Sequence, residues 1–119
     1  MPDTKMDLRS FERQATEVAG VLRTVANERR LMILCKLVEW GEANVGSLAE
    51  AVALSQSALS QHLAKMRHEG IVTFRRESQT IWYRIADPRI EQLLATLYGL
   101  YCRPEPKRAA KRRAVDKAE

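Results

Sequence analysis

The stretch that decides the fold is VGSLAEAVALSQSALSQHLAKMRHEG, residues Val45–Gly70. It predicts a short helix over Val45–Val52, a tight turn at Ala53-Leu54, and a second helix that Ser55 caps and that stops by Gly70. Two short helices joined by a tight turn are typical of a helix-turn-helix unit.

The second helix of this unit has two chemically different faces. At about 3.6 residues per turn, one face collects the apolar residues Leu59, Leu63 and Met66, which predicts core packing. The other face collects Gln56, Ser57, Ser60, Gln61, Ala64 and His68. Glutamine can bond bidentately to an adenine edge, serine can bond phosphate or base, and Lys65 at the flank can meet a phosphate. We therefore predict a recognition helix for a DNA major groove. The alternative is a solvated face, although such faces usually carry Glu and Lys pairs and this one has no acidic residue before Glu69.

The chain has 119 residues, which suits one domain with tails. Its net charge of +5 is uneven, because residues 1–102 hold 13 Lys or Arg against 12 Asp or Glu, whereas residues 103–119 hold seven against three. We interpret residues 103–119 as a basic disordered tail, either a nonspecific DNA-binding arm or a solubilising segment. Residues 1–7 are also predicted to be disordered.

No apolar run approaches the roughly 20 residues of a membrane span and no signal peptide is visible, so we expect a cytoplasmic protein without a membrane partner.

Amphipathic helices precede the helix-turn-helix unit. The first covers Leu8–Ala26, and its apolar stripe consists of Phe11, Ala15, Val18, Leu22 and Val25. Asn27 is a suitable N-cap for the next helix, Glu28–Glu39. The predicted inward stripe of that helix consists of Leu31, Leu34, Cys35 and Val38, and its outward positions are Arg29, Arg30 and Lys36. Gly41–Asn44 is predicted to be a loop.

After Gly70 the pattern changes from a helical to an alternating period, which predicts a β-hairpin. Its strands are Ile71–Arg76 and Thr80–Ile85, joined by a polar turn over Arg76–Gln79, and it carries Arg75, Arg76 and Arg84. A hairpin directly after a recognition helix is a wing, and its arginines could reach phosphate or a minor groove. Ordinary solvated arginines are an equal alternative at this point.

The last helix begins at Asp87-Pro88, with Asp as the N-cap and Pro as the first helical residue. Its apolar stripe is too broad to face water and consists of Ile90, Leu93, Leu94, Leu97, Leu100 and Tyr101. We expect the first and last helices to form a homodimer interface, although the first helix could also close the core of a single chain.

The chain lacks the motifs of an enzyme. It has no Ser/His/Asp order, no phosphate-cradling glycine loop and no clustered carboxylate pair. Its two histidines lie on the recognition helix: His62 is predicted to be a hydrogen-bonded packing residue, and His68 to be solvated or near phosphate. We expect no catalysis and no cofactor.

The chain resembles the ArsR/SmtB family of bacterial transcription regulators from roughly Val18 to Cys102, on the residues RLMILCKL, VGSLAEAVALSQSALSQHLAKMRHEGIV and TFRRESQTIWYRI. The resemblance implies a mainly α fold with a β-hairpin wing (α+β), in which residues 8–102 form a winged helix-turn-helix domain that binds DNA and dimerises. It implies a homodimer on a palindromic double-stranded operator, usually as a repressor. The implied base-reading positions are Gln56, Ser57, Ser60 and Gln61, and the further predicted DNA contacts are Lys65, Arg75 and Arg76. Many relatives have Gly where this chain has Ala53.

Many members of the family sense metals, but this chain departs from two known site patterns. One places cysteines where this chain has Asn44-Val45-Gly46, and the other needs histidine on the last helix, which here offers only Asp87 and Glu91. We therefore expect no metal site.

The two cysteines, Cys35 and Cys102, would by themselves be interpreted as inert packing residues. The resemblance implies another role, because both match the paired cysteines of a subgroup of the family that responds to sulfide and persulfide. It implies a dithiol switch, in which reactive sulfur species or an oxidant converts the pair to a disulfide or longer sulfur bridge and weakens operator binding. The alternatives are passive or generally oxidant-sensitive cysteines in a repressor or anti-silencing activator, and a protein-interaction module that has kept the fold.

Overall fold

The computed structural model describes residues 6–102. Its elements, in order, are α1 (Leu8–Val25), α2 (Glu28–Trp40), β1 (Ala43–Asn44), α3 (Val45–Val52), α4 (Gln56–His68), β2 (Val72–Glu77), β3 (Thr80–Ile85) and α5 (Pro88–Tyr101). Five helices and a β-hairpin between the fourth and the fifth confirm the predicted mainly α fold with a wing. The predicted basic tail, residues 103–119, and residues 1–5 of the predicted N-terminal segment lie outside the described residues. Asp7, placed in that segment, instead caps α1 by accepting hydrogen bonds from the backbone of Arg9 and Ser10.

The chain divides into two compact units, Met1–Ala86 and Asp87–Glu119. The first unit contains α1 to α4 and all three strands, and the second contains α5.

The core of the first unit is built by α2, α3, α4 and the start of β2. Its most deeply buried side chains are Ile33, Leu34, Leu37, Leu48, Leu59, Leu63, Met66 and Val72. Each such side chain contributes about 1.5–3 kcal/mol by leaving water. The three α4 residues in this set are those predicted to face the core, so the recognition helix is anchored by its inner face and its outer face remains available.

The buried face of α2 is rotated by part of a turn around the helix axis from the predicted inward stripe, so that prediction was wrong. The buried residues are Ile33, Leu34 and Leu37, whereas Cys35 and Val38 are exposed. Leu31–Leu34 is an unbroken apolar run, so helical periodicity alone does not select one face of this helix. The thiol of Cys35 therefore lies on the surface, where a dissolved reagent can reach it.

The sheet has the strand order β1-β3-β2, and both pairings are antiparallel. In the hairpin, Phe74 pairs with Tyr83 as the alternating pattern predicts, and their ring centroids lie 5.5 Å apart. The loop is shorter than predicted, because Glu77 still pairs with Thr80 and only Ser78 and Gln79 connect the strands. The strand β1 replaces part of the predicted loop Gly41–Asn44; two residues are too few to produce a recognisable alternating pattern.

The turn between α3 and α4 is closed by the backbone. Ala53 adopts the left-handed conformation, with φ 57° and ψ 47°, and the next amide, that of Leu54, donates to the carbonyl of Ala49 at 3.0 Å. Ser55 then caps α4 by accepting a hydrogen bond from the amide of Ala58 at 3.0 Å. The chain thus tolerates an alanine where a left-handed residue is needed and glycine would be unstrained.

In the second unit, α5 begins as predicted, with Asp87 as the N-cap and Pro88 in the first turn. Ile90 and Leu94 of its predicted apolar stripe are buried, whereas Leu100 and Tyr101 are 73% and 82% exposed. In the first unit, α1 likewise exposes Leu8, Phe11 and Leu22. The predicted dimerisation through α1 and α5 stays a prediction, which these exposed apolar side chains support. Within residues 6–102, no helix combines the length and apolarity needed to cross a membrane.

Candidate nucleic-acid interface

The outer face of α4 has the composition that the sequence predicts. Its exposed side chains are Gln56, Ser57, Ser60, Gln61, Ala64, Lys65 and His68. The inner residues Leu59, Leu63 and Met66 have no exposed surface. The structure therefore brings the five predicted α4 contact residues together on one side of one rigid helix. Their contact with DNA stays a prediction.

The charge of α4 favours an anionic partner. No acidic residue occurs between Gln56 and His68, and the last turn carries Lys65, Arg67 and His68. The Ser55 cap leaves the amino end of the helix, with its partial positive charge, next to Gln56 and Ser57. The helix thus presents hydrogen-bond donors and acceptors without a carboxylate of its own, and the next acidic residue along the chain is Glu69.

A hydrogen bond from α2 contacts the middle of α4 on the side away from its outer face. The Nε of Arg30 on α2 donates a hydrogen bond to Nδ1 of His62 at 3.1 Å. Burial lowers the pKa of His62, and the positive charges of Arg30 and Arg29 lower it further. His62 is therefore a neutral acceptor packed against α2, as predicted for it, and it does not belong to the outer face.

A second polar contact holds the end of α4. The hydroxyl of Thr24, buried at the end of α1, donates to the carboxylate of Glu69, and Nζ of Lys65 lies 3.3 Å from the other oxygen of Glu69. The hydrogen bond from Thr24, followed by that from Lys65, holds the pKa of Glu69 below its ordinary value. Lys65, predicted as a phosphate contact, is thus positioned beside a carboxylate. The sequence signal was the four-residue spacing of Lys65 and Glu69, which suits a helical ion pair.

The hairpin arginines, which the sequence does not distinguish, have different surroundings. Nε and Nη2 of Arg75 bond both carboxylate oxygens of Glu42 at 2.8 and 2.9 Å, and Nη1 bonds Glu77 at 3.1 Å. The guanidinium also lies 5.8 Å from the ring centroid of Trp82. The side chains of Arg76 and Arg84 have no hydrogen bond or salt bridge within residues 6–102, although, after the hydrogen bond from Arg75, the charge of Arg84 helps to lower the pKa of Glu42. Glu42 was missed by sequence analysis, because it lies 33 residues from Arg75 in a segment predicted to be a loop.

Both cysteines are exposed thiols, one in each unit. Cys35 lies on the outer side of α2, between the exposed side chains of Met32 and Val38 one turn away on either side. Cys102 is the C-cap of α5. Among the described residues, no three His, Cys, Asp or Glu side chains cluster as metal ligands would.

Residues 27–73 match the family described as "Bacterial regulatory protein, arsR family". The chain is 42% identical over 97 residues to the transcriptional activator HlyU of Vibrio cholerae, and the match covers 82% of this chain and 89% of that protein. The crystal structure of HlyU from Vibrio vulnificus is similar, with a TM-score of 0.73 and 43% identity over 82% of this chain and 100% of that one. The transcriptional repressor BigR from Xylella fastidiosa is also similar, with a TM-score of 0.76 and 40% identity over 82% of this chain and 99% of that one. This chain belongs to the ArsR/SmtB family of winged-helix transcription regulators, which bind DNA and are not enzymes.

Proposed function

We propose that the protein is a dimeric transcription regulator that binds a palindromic operator through the outer face of α4. The observation that carries this proposal is the exposed row of Gln56, Ser57, Ser60 and Gln61, backed by a fully buried apolar face. Amide side chains on a helix anchored in this way can read base edges in a major groove, and Lys65 at the flank can meet phosphate.

Operator binding can be tested on duplexes selected by the protein from a random-sequence pool. Gln61→Ala and Gln56→Ala are each expected to weaken binding to the selected duplex by roughly 5- to 150-fold, because each loses a base contact worth about 1–3 kcal/mol. Their binding to unrelated duplex should change little. Gln14→Ala, an equal change on an exposed position of α1, is the matched control. Wild-type affinity in both α4 variants would overturn the proposal and favour a protein-interaction module.

We further propose that Cys35 and Cys102 form a switch that responds to persulfide, other reactive sulfur species or redox state. Both thiols are exposed, which suits reaction with a dissolved reagent. The thiolate of one cysteine attacks a polysulfide and becomes a persulfide, while the polysulfide leaves one sulfur shorter. The second thiolate attacks the protein-bound sulfur and releases hydrosulfide, which leaves a disulfide. If both cysteines become persulfides, attack of one on the other releases hydrosulfide and leaves a bridge of three sulfurs.

The switch is tested by treating the reduced protein with polysulfide or with peroxide, followed by intact mass, peptide mapping and operator binding. A Cys35–Cys102 bridge that contains added sulfur, forms only with polysulfide and releases DNA supports a persulfide sensor. Cys35→Ser and Cys102→Ser should each keep operator binding and lose the response. A plain disulfide with either reagent would indicate a general thiol switch. Unlinked cysteines with unchanged DNA binding would overturn the switch but not the DNA-binding proposal.

The direction of regulation has two candidates, because the relatives differ in their names. One relative is called a transcriptional activator and another a biofilm growth-associated repressor. We favour repression by operator occupancy, with activation by displacement of a silencing protein as the second candidate. A reporter fused to the selected operator, in cells without other DNA-binding regulators of that site, separates them: a repressor lowers expression on its own, whereas an anti-silencing activator acts only when the silencer is present.

A further inference from the structure

Arg75 and Arg76 are neighbours in sequence but lie on opposite faces of the hairpin. Arg75 pairs with Trp82 and Arg76 with Ile81 in the antiparallel register. Because side chains alternate along a strand, Arg76 shares a face with Phe74, over whose ring Arg67 of α4 lies at 4.9 Å. Arg75 projects from the other face. The two cations therefore have different surroundings.

Carboxylates already engage the guanidinium of Arg75 through three of its five N–H donors. All three of its nitrogens are engaged, two by Glu42 in a bidentate pair and one by Glu77. The two carboxylates offset the charge of Arg75 and of Arg84, whose charge also lowers the pKa of Glu42, so this cluster offers no excess positive charge to a phosphate. The hydrogen bonds from Arg75 correspondingly lower the pKa of Glu42. Arg75 is thus poorly suited to be a phosphate ligand.

The same contact ties together parts of the first unit that the sheet does not join directly. Glu42 immediately precedes β1, and Arg75 lies on β2, while β3 with Trp82 runs between these two strands. The Glu42–Arg75 pair therefore spans β3. Asn44 at the end of β1 also caps α3, because its Oδ1 accepts a hydrogen bond from the amide of Ser47 at 2.8 Å. The pair links the wing to the start of the helix-turn-helix unit.

We propose that Glu42 and Arg75 are positioning residues that brace the wing against β1 and α3, and that Arg76 supplies the positive charge through which the wing binds DNA phosphate. The inference deepens the proposed operator binding and rests on it. The Glu42–Arg75 pair positions the wing so that Arg76 can contact DNA, and Arg75 itself makes no DNA contact.

The direction in which Glu42→Ala changes DNA affinity distinguishes a positioning role of the Glu42–Arg75 pair from a purely electrostatic effect. Glu42→Ala removes a negative charge, so general electrostatics predicts tighter DNA binding. Loss of a brace predicts weaker binding, by about 3- to 10-fold, because the wing must then be ordered on binding. Glu12→Ala, which removes an equal charge from an exposed position on α1, is the matched control and should leave binding equal or slightly tighter.

Substitution of each arginine by lysine provides a second way to distinguish the positioning role of Arg75 from the phosphate contact of Arg76. Lysine keeps the charge but not the planar fork that bonds two carboxylate oxygens at once. Arg75→Lys should therefore weaken binding nearly as much as Arg75→Ala, whereas Arg76→Lys should keep most of the affinity that Arg76→Ala loses. The double variant Glu42→Ala/Arg75→Ala should be no weaker than either single variant, since both remove the same contact.

The experiment measures operator affinity of the full chain across a range of salt concentrations for these variants. Arg76→Ala should reduce the salt dependence by about one counterion per protomer, and Arg75→Ala should leave it unchanged. Amide hydrogen exchange without DNA should show faster exchange in β2 and β3 for Glu42→Ala and Arg75→Ala, but not for Arg76→Ala.

Two outcomes would overturn this inference: tighter binding by Glu42→Ala, or an equal loss of salt dependence in Arg75→Ala and Arg76→Ala. Either outcome leaves the proposed function intact, provided that the wild type binds the operator and Gln61→Ala binds it more weakly. Absence of any sequence-specific binding by the wild type would instead overturn the proposed function, and the DNA-binding role of Arg76 with it.

Discussion

Thr24 is a polar side chain only 4% exposed, and its one hydrogen-bond donor is used on Glu69. Thr24→Val keeps the shape of the side chain and removes the donor, which leaves the Glu69 carboxylate with one hydrogen bond fewer. The free energy of unfolding should fall by about 0.5–1.5 kcal/mol, the range for a typical hydrogen bond, because Glu69 is exposed and water can replace the lost donor. Urea denaturation measures it, and Thr24→Ser, which keeps the hydroxyl, is the control. Unchanged stability in Thr24→Val would contradict the role assigned to this bond.

His62 gives the fold a dependence on pH. Its pKa in the folded state is lowered below 6.5 by burial and by Arg30 and Arg29. The unfolded chain then binds the proton more tightly, so the stabilisation is complete above about pH 6.5 and is lost as the pH falls through the folded-state pKa. Thermal unfolding from about pH 7.5 to about pH 5.5 should show this loss. His62→Gln, whose amide oxygen can still accept from Arg30, should show a smaller loss, and an identical profile would exclude His62 as its cause.

At the scale of elements, the turn between α3 and α4 contains one strained residue. Ala53 has φ 57°, where an L side chain costs roughly 1–2 kcal/mol and glycine costs little. After the greater entropy of glycine in the unfolded chain is subtracted, Ala53→Gly should stabilise the protein by about 0.5–1 kcal/mol. The matched control is Ala51→Gly in the helix just before the turn, which should destabilise it by about 1 kcal/mol. Denaturation midpoints of the two variants should move in opposite directions.

At the scale of the whole molecule, we predict a dimer formed through α1 and α5. Apolar side chains at Phe11, Tyr98, Leu100 and Tyr101 are exposed in one chain, and burying such surface favours association. Leu100→Glu should raise the dimer dissociation constant at least about tenfold, measured by sedimentation equilibrium. Gln92→Glu adds the same charge to an exposed polar position of α5 and should leave the dimer intact. A wild-type chain that stays monomeric at all accessible concentrations would refute the prediction.

The sequence by itself determined the five helices and the hairpin, and the faces of the most regular of these elements. The alternation of Phe74, Tyr83 and their neighbours specified the hairpin, and Leu59, Leu63 and Met66 specified the buried face of α4, because each pattern repeats at the period of its own backbone. Local chemistry likewise identified the caps at Ser55 and Asp87. The candidate DNA-binding face of α4 could be predicted for the same reason, because it is the side of the helix opposite these buried residues.

Only the tertiary structure decided which contacts join distant segments. The inward face of α2 could not be selected within its continuous apolar run, and β1 exists only because β3 lies beside it. Glu42 and Arg75, like Thr24 and Glu69, are far apart in the chain, and no local pattern records their pairing. Two adjacent arginines that are equivalent as letters therefore differ in the folded chain, because strand alternation directs one toward carboxylates and leaves the other without an ion-pair partner within residues 6–102.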